Sequence, residues 1–228
     1  MPGMTVTLTR IHIATPHAAP LITALAAAAG ADPGTVRILG ADGGEATLHT
    51  VTVGDLTVDV FAGDSRLAVA ELTVPDLSAA LDRLPVEARR RRTELGASHR
   101  VGTTIVVVRT GRTDPPADPA GATVTRILVS MPEPAGLAAA LGAAAGLEVA
   151  TDPITGSDGE VIHRVKVGTV TVEVMSGAPG VPALDLFVPS LGEAQERFAA
   201  ARVPSQPAGA GHVVSYVGGT RLLVRSAS

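Results

Sequence analysis

Apolar and polar positions alternate along residues 8–15 and 124–131, the two-residue period of a strand with one buried face. These segments predict strands Leu8–Thr15 and Val124–Met131. The period then lengthens. Leu21/Leu25 and Leu137/Leu141 stand four apart, which predicts helices over about Ala19–Ala29 and about Ala135–Ala145. Alternation resumes in Val51–Gly54 and Leu56–Phe61, joined at Gly54-Asp55 as a hairpin, and again after Gly168-Thr169. Further strands are predicted at Leu67–Val74 and Ala183–Val188, around Arg89–Arg92 and Val203–Gln206, and at Thr103–Arg109 and Thr220–Arg225. Second helices begin at Asp76 and Ser190. Leu77, Leu81 and Leu84 form the apolar face of the first, and Ser190 with Glu193 has the spacing of a capping box at the start of the other.

The two sets of elements are copies. Leu48–Val60 returns as Ile162–Val174, Thr9-Arg10-Ile11 as Thr125-Arg126-Ile127, and Leu72–Leu77 as Leu186–Leu191, at a near-constant offset. Val101-Gly102 and Val108-Arg109 return as Val217-Gly218 and Val224-Arg225. A repeat this long is a duplicated domain of about 110 residues, not a solenoid unit of about 20–50. Between the copies lies a stretch whose prolines suit neither helix nor central strand. The expected division is a domain over 1–113, a Pro-rich linker over 114–121 and a second domain over 122–228. Each half reads β-α-β-β-β twice, an α+β fold.

Composition narrows the chemistry. Ala, Val and Leu dominate, and the aromatic residues are Phe61, Phe187, Phe198 and Tyr216, so the core is built from small side chains. That bias suggests a bacterial source with a GC-rich genome. The net charge of −4 and the scarcity of aromatics argue against nucleic acid as partner. With no cysteine there is no disulfide, thiolate metal site or cysteine nucleophile. Residues 1–10 carry no apolar leader, and the apolar run Pro134–Leu147 is shorter than the roughly 20 residues of a membrane span. A cytoplasmic protein with no membrane partner is expected.

The repeated pattern resembles the vicinal oxygen chelate superfamily, which takes in glyoxalases, bleomycin-resistance proteins and extradiol dioxygenases. The resemblance is carried by Val74-Pro75-Asp76-Leu77 and Val188-Pro189-Ser190-Leu191, by Ala145–Val149 after a helix, by the hairpin Val53–Val60 and by the Gly-containing last strand. It implies four βαβββ modules in two tandem glyoxalase-like domains, each a curled mixed sheet around a cleft. Enzymes of that superfamily hold one divalent metal there on His, Gln or Glu. The corresponding positions here look like Arg10, Asp59, Val69 and Val106, and Arg126, Glu173, Ala183 and Leu222. Only Asp59 and Glu173 are of ligand type, too few for a site that wants three protein ligands. No metal and no other cofactor is expected.

Strand alternation turns Arg10 and His12, Asp59 and Phe61, and Glu71 into the first cleft. It turns Arg126, Glu173 and Met175, and Asp185 and Phe187 into the second. Each cleft thus keeps one arginine and two acids. Two readings follow. The cluster binds or protonates a polar ligand, since arginine grips carboxylate or phosphate with a two-pronged fork. Alternatively, arginine and acid neutralise each other where an ancestral metal sat. His49 and His163 share a face with Val51/Val53 and Val165/Val167 and read as hydrogen-bonded residues near a sheet edge; His12, His17, His99 and His212 have no counterparts. Tyr216 reads as packing, and Arg89–Arg92 as a solvated strand, a loop or a contact to the other domain. Two functions are expected to compete: binding of a small-molecule metabolite or antibiotic without a metal, and metal-independent isomerase, cyclase or lyase chemistry with a cleft carboxylate as base. Because the duplication is in cis, a monomer or weak homodimer is expected.

Overall fold

The computed structural model describes residues 6–39, 45–85, 92–93, 96–111, 121–154, 160–209 and 211–226. In the first half, β1 (Thr7–Ala14), α1 (Ala18–Ala29), β2 (Gly34–Leu39), β3 (Glu45–Val53) and β4 (Leu56–Phe61) make one βαβββ module. A second follows: β5 (Arg66–Val74), α2 (Leu77–Arg83), β6 (Arg92–Thr93), β7 (Gly96–Val101) and β8 (Thr104–Thr110). The second half repeats both. Its first module is β9 (Thr123–Met131), α3 (Pro134–Ala145), β10 (Ala150–Pro153), β11 (Val161–Val167) and β12 (Val170–Ser176). Its second is β13 (Gly180–Phe187), α4 (Leu191–Ala200), β14 (Gln206–Pro207), β15 (His212–Val217) and β16 (Thr220–Arg225). The fold is α+β, as the periodicity predicts. Residues 112–120, nearly all of the expected linker, and Arg89–Arg91 lie outside the described residues.

Each half closes one eight-stranded mixed sheet, in the orders β2-β3-β4-β1-β5-β8-β7-β6 and β10-β11-β12-β9-β13-β16-β15-β14. The two modules of a half meet antiparallel at β1–β5 and β9–β13, while β1–β4, β5–β8, β9–β12 and β13–β16 run parallel. The central join is irregular in both halves. The register shifts between Leu8 and Arg10, and between Asp185 and Leu186 on the partner of β9. Leu8 and Ile11 are both buried although three apart, so Thr9 is the extra residue that resets the phase. Its hydroxyl donates to the Glu71 carbonyl at 3.3 Å, and Thr125 donates to the Asp185 carbonyl at 3.2 Å. The bulge directs Arg10 and Arg126 away from the core.

Helices cover one face of each sheet. Leu21 and Leu25 on α1, and Leu137 and Leu141 on α3, are fully buried, and one continuous hydrophobic core runs through both halves. Alanines between these leucines let the helices sit close, and Gly142 has no room for a side chain, since a Cβ would come within 2.8 Å of Val149. α1 contacts β15 and α4 of the other half, and α3 contacts β7, β8 and α2. The helices therefore lie between the sheets, which turn their open faces away.

Two arginines join the halves reciprocally. Arg83 on α2 donates through Nε to the Ala143 carbonyl at 2.8 Å and through Nη2 to Ala144. Arg197 on α4 donates through Nε to the Ala27 carbonyl at 2.8 Å and through Nη2 to Ala28. Each cation thus serves the last turn of a helix in the other half, where carbonyls lack intrahelical donors and the dipole is negative. Both helices end in a left-handed glycine, Gly30 or Gly146, with the guanidinium against it. At the other helix starts, Asp76 accepts from the Ala79 amide and Ser190 from the Glu193 amide. Glu193 itself pairs with Arg197 at 3.4 Å. Among the described residues no helix is long and apolar enough to cross a membrane.

Arg83→Ala and Arg197→Ala are each expected to cost about 1–2 kcal/mol, the value of charged hydrogen bonds made partly in solvent. Urea unfolding of the single and double variants measures this.

Candidate functional site

The open face of the second sheet carries an unbroken row of alternating charge. Asp152, Arg164, Glu173, Arg126, Asp185 and Arg221 stand on β10, β11, β12, β9, β13 and β16, six consecutive strands of the sheet. Arg164 bridges Asp152 through Nη1 and Glu173 Oε1 through Nε at 2.7 Å. Arg126 bridges Glu173 Oε2 through Nη1 at 2.6 Å and Asp185 Oδ2 through Nε at 2.9 Å. Arg221 ends the row 3.8 Å from Asp185. Glu173 and Asp185 are buried, so each needs a cation beside it to be held there as an ion. The bond to Glu173 is also the main reason the Arg164 guanidinium sits above its ordinary pKa.

The first sheet is built on the same plan with different side chains. Asp59 on β4 occupies the place of Glu173 and is almost fully buried. Thr50 on β3, the counterpart of Arg164, donates to Asp59 Oδ1. Arg10 Nε lies 3.4 Å from Asp59 Oδ2, and His12 Nε2 lies 3.1 Å from the same oxygen. Neither contact is aligned as a hydrogen bond, so Oδ2 is a buried acceptor with no donor. Glu71 pairs with Arg109 Nε at 3.3 Å. His12 stands where the second half has Leu128. Burial pushes its imidazole below the ordinary value of 6.5; Asp59 opposes that shift, while Arg10 and Arg109 add to it. At neutral pH this ring is uncharged.

Strand alternation thus brings Arg10, His12, Asp59 and Glu71 together, and Arg126, Glu173 and Asp185 likewise. Around the first centre, Val36, Leu48, Phe61, Ile105 and Val107 share the open face through the strand registers, and Val36 is 52% exposed. Met175 and Phe187 are half-buried on the open face of the second sheet, Met175 opposite Ile162. The pairing differs from expectation in one respect: Arg126 holds both its acids, whereas Arg10 holds Asp59 and it is Arg109 that reaches Glu71.

Three expectations are corrected. Val106 and Leu222 do not face the clefts but lie fully buried under the helices; Ile105 and Val107, and Arg221 and Leu223, are the open-face positions. Tyr216 is not packing: it pairs with Arg221 and is 63% exposed. Arg109, Arg164, Asp152 and Arg221 were missed as cleft residues. Their common signal is phase: each falls on the open-face parity of its strand, Asp152 on the edge strand β10 that pairs with β11. His163 lies on the helix-covered face and its Nδ1 is 3.0 Å from Thr151 Oγ1 on the edge strand. A separate depression of about 400 Å³ lies between the halves over an aliphatic floor including Val53, Leu56, Val167 and Val170, and none of these cleft charges lines it.

No protein-family model and no curated protein matches the chain in sequence. Solved structures match it in shape. A Mn(II)-bound glyoxalase from Novosphingobium aromaticivorans aligns with a TM-score of 0.59 at 13% identity, over 98% of this chain and 82% of that one. A 2,2',3-trihydroxybiphenyl 1,2-dioxygenase from Sphingomonas wittichii strain RW1 aligns with a TM-score of 0.59 at 13% identity, over 98% and 91%. A variant 4-hydroxymandelate synthase from Streptomyces coelicolor aligns with a TM-score of 0.58 at 12% identity, over 98% and 93%. The chain therefore has the vicinal oxygen chelate fold, as its motifs implied.

The metal that this fold implies does not fit the side chains present. Among the described residues no group of three or more His, Asp or Glu is placed to hold a metal ion. In the second cleft the guanidinium of Arg126 lies between the two buried carboxylates, where a cation would have to sit. In the first, Asp59 and His12 face Arg10 and apolar walls.

Arg126→Ala leaves two buried carboxylates without their shared cation and is expected to destabilise the chain by about 3–5 kcal/mol in denaturant unfolding. His12 sets a pH dependence. Between its lowered folded pKa and 6.5, the unfolded chain binds a proton that the folded chain refuses. Stability is expected to fall as pH drops through that window, and His12→Asn to flatten the decline when melting temperatures are compared across pH 4–8.

Proposed function

We propose that this chain uses the first cleft of its vicinal oxygen chelate fold to bind a small-molecule metabolite or antibiotic directly on side chains, with no metal between. The observation that carries the reading is Asp59 Oδ2, a buried acceptor without a donor at the centre of an open face. An unpaired buried acceptor costs free energy until a donor arrives, on the order of 1–3 kcal/mol, and a ligand hydroxyl or amine supplies one. Val36, Leu48 and Phe61 offer the apolar surface beside it, in the usual composition of a small-molecule site. In the second cleft Asp185 Oδ1 also lacks a donor, but Arg126 lies across both acids and Arg221 closes beside Asp185, where the first cleft has Ile105. We further propose that residues 1–113 and 122–228 are tandem domains of a monomer or weak dimer; helices that already lie between two sheets leave no need for a second chain.

A second reading has its own support. His12 is neutral, part-exposed and 3.1 Å from a buried carboxylate, the setting of a general base whose ring is oriented by an acid. On that reading the cleft catalyses a metal-independent proton transfer, as in an isomerase, cyclase or lyase.

Two measurements separate the readings. Mass spectrometry for metals on protein dialysed without chelator is expected to find no stoichiometric Zn, Mn, Fe or Ni; one ion per chain would sink both. A thermal-shift screen of metabolites and antibiotics is expected to yield a ligand whose stabilisation disappears in Asp59→Asn. Recovery of that ligand unchanged supports the binder. Conversion that survives chelator and is lost in His12→Asn supports the enzyme.

A further inference from the structure

We infer that the ligand of the first cleft carries a carboxylate or phosphate, gripped by the free forks of Arg10 and Arg109. The inference rests on the first cleft being the ligand site and adds the class of molecule it takes. A guanidinium offers two edges to an anion, one through Nε and a terminal nitrogen, the other through both terminal nitrogens. Arg10 and Arg109 each meet a carboxylate through Nε, at 3.4 and 3.3 Å. Each pairs with one acid only among the described residues, and the side chains are 46% and 55% exposed. Arg126 and Arg164 of the other cleft spend both Nε and Nη1 on their own acids.

Placement brings the free forks to one spot. Arg10 faces Glu71 across β1–β5, and Arg109 reaches the same Glu71 from β8. The internal pairings fix the roots of both side chains and leave the forks toward solvent. On the first open face Arg10, Arg109 and the exposed Arg100, which pairs with the open-face Ile105 on β8, stand with Asp59 and Glu71. An anionic head at the forks, a hydroxyl or amine on Asp59 Oδ2 and an apolar body on Leu48 and Phe61 would engage the arginines and the unpaired carboxylate oxygen together.

The test compares two probes of one shape on the isotope-labelled full chain by NMR: 3-phenyllactate, and 3-phenylpropane-1,2-diol, which keeps the hydroxyl and lacks the carboxylate. Phenyllactate is expected to bind about tenfold tighter or more, the worth of a charge-assisted fork, and inorganic phosphate to compete with it. Arg10→Gln and Arg109→Gln should each remove most of that preference, read as the ratio of the two probes' affinities within each variant. Arg109→Lys keeps the charge and loses the fork, so it should recover only part of it. Equal affinities for the two probes, or a preference untouched in the variants, would overturn the anion assignment and leave the cleft reading intact. Resonance shifts confined to residues outside the first open face would overturn both.

Discussion

A carboxylate buried in the middle of a sheet must have positive charge beside it, and the centre of each half is organised by that need. Asp59, Glu173 and Asp185 are too deeply placed to be solvated by water. In a metal-dependent relative the cation is an ion borrowed from solution. Here it is covalent: Arg126 sits between Glu173 and Asp185, and Arg10 beside Asp59. The bulges at Thr9 and Thr125 follow from the same need, because without the extra residue each arginine would point into the hydrocarbon core. A guanidinium is always charged and anchored by its backbone, so the charge it places beside these acids does not change with pH near neutrality.

The helix layer meets a second requirement, that of joining two halves whose cores hold few large side chains. Aromatic rings usually contribute most of the area at such a junction. With Phe198 the one aromatic among the largest fully buried side chains, contact instead comes from close approach of alanine-rich helices, and specificity from Arg83 and Arg197 crossing to the opposite helix ends. These two arginines hold equivalent positions in the repeat, so one interaction, duplicated, locks the pseudo-twofold from both sides.

Most of the architecture was legible because duplication doubles every periodic signal. The order of elements, the hairpin turns at Gly54 and Gly168, and the open-face parity of Arg10, Asp59, Arg126 and Glu173 follow from alternation plus the copy. What alternation does not encode is diagonal reach. Arg109 meets Glu71 because parallel strands offset their partners, and Arg164 spans from Glu173 to Asp152 on the edge strand. Such pairs depend on register across strands far apart in sequence. The parity of β8 and β16 was misjudged by one residue, which exchanged Ile105 for Val106 and Arg221 for Leu222 as cleft residues. The bond between Arg83 and a helix end in the other half is invisible for a similar reason: nothing local distinguishes it from a solvated arginine in a last turn.

The differences between the copies carry more about function than their likeness. Four open-face positions diverge together: His12 for Leu128, Thr50 for Arg164, Asp59 for Glu173 and Ile105 for Arg221. Thr50, Asp59 and Ile105 bring less charge or length than their counterparts, and His12 puts a polar ring where the other copy has leucine; on this face Asp59 Oδ2 is left without a donor. In the second half the same positions fill the row until both central acids lie within reach of two arginines. Both sheets keep a buried carboxylate oxygen without a donor, Asp59 Oδ2 in the first and Asp185 Oδ1 in the second, and each costs free energy in a marginally stable protein. They differ in what stands with it: His12, Thr50 and the apolar Leu48 and Phe61 on the first open face, Arg126 and Arg221 on the second.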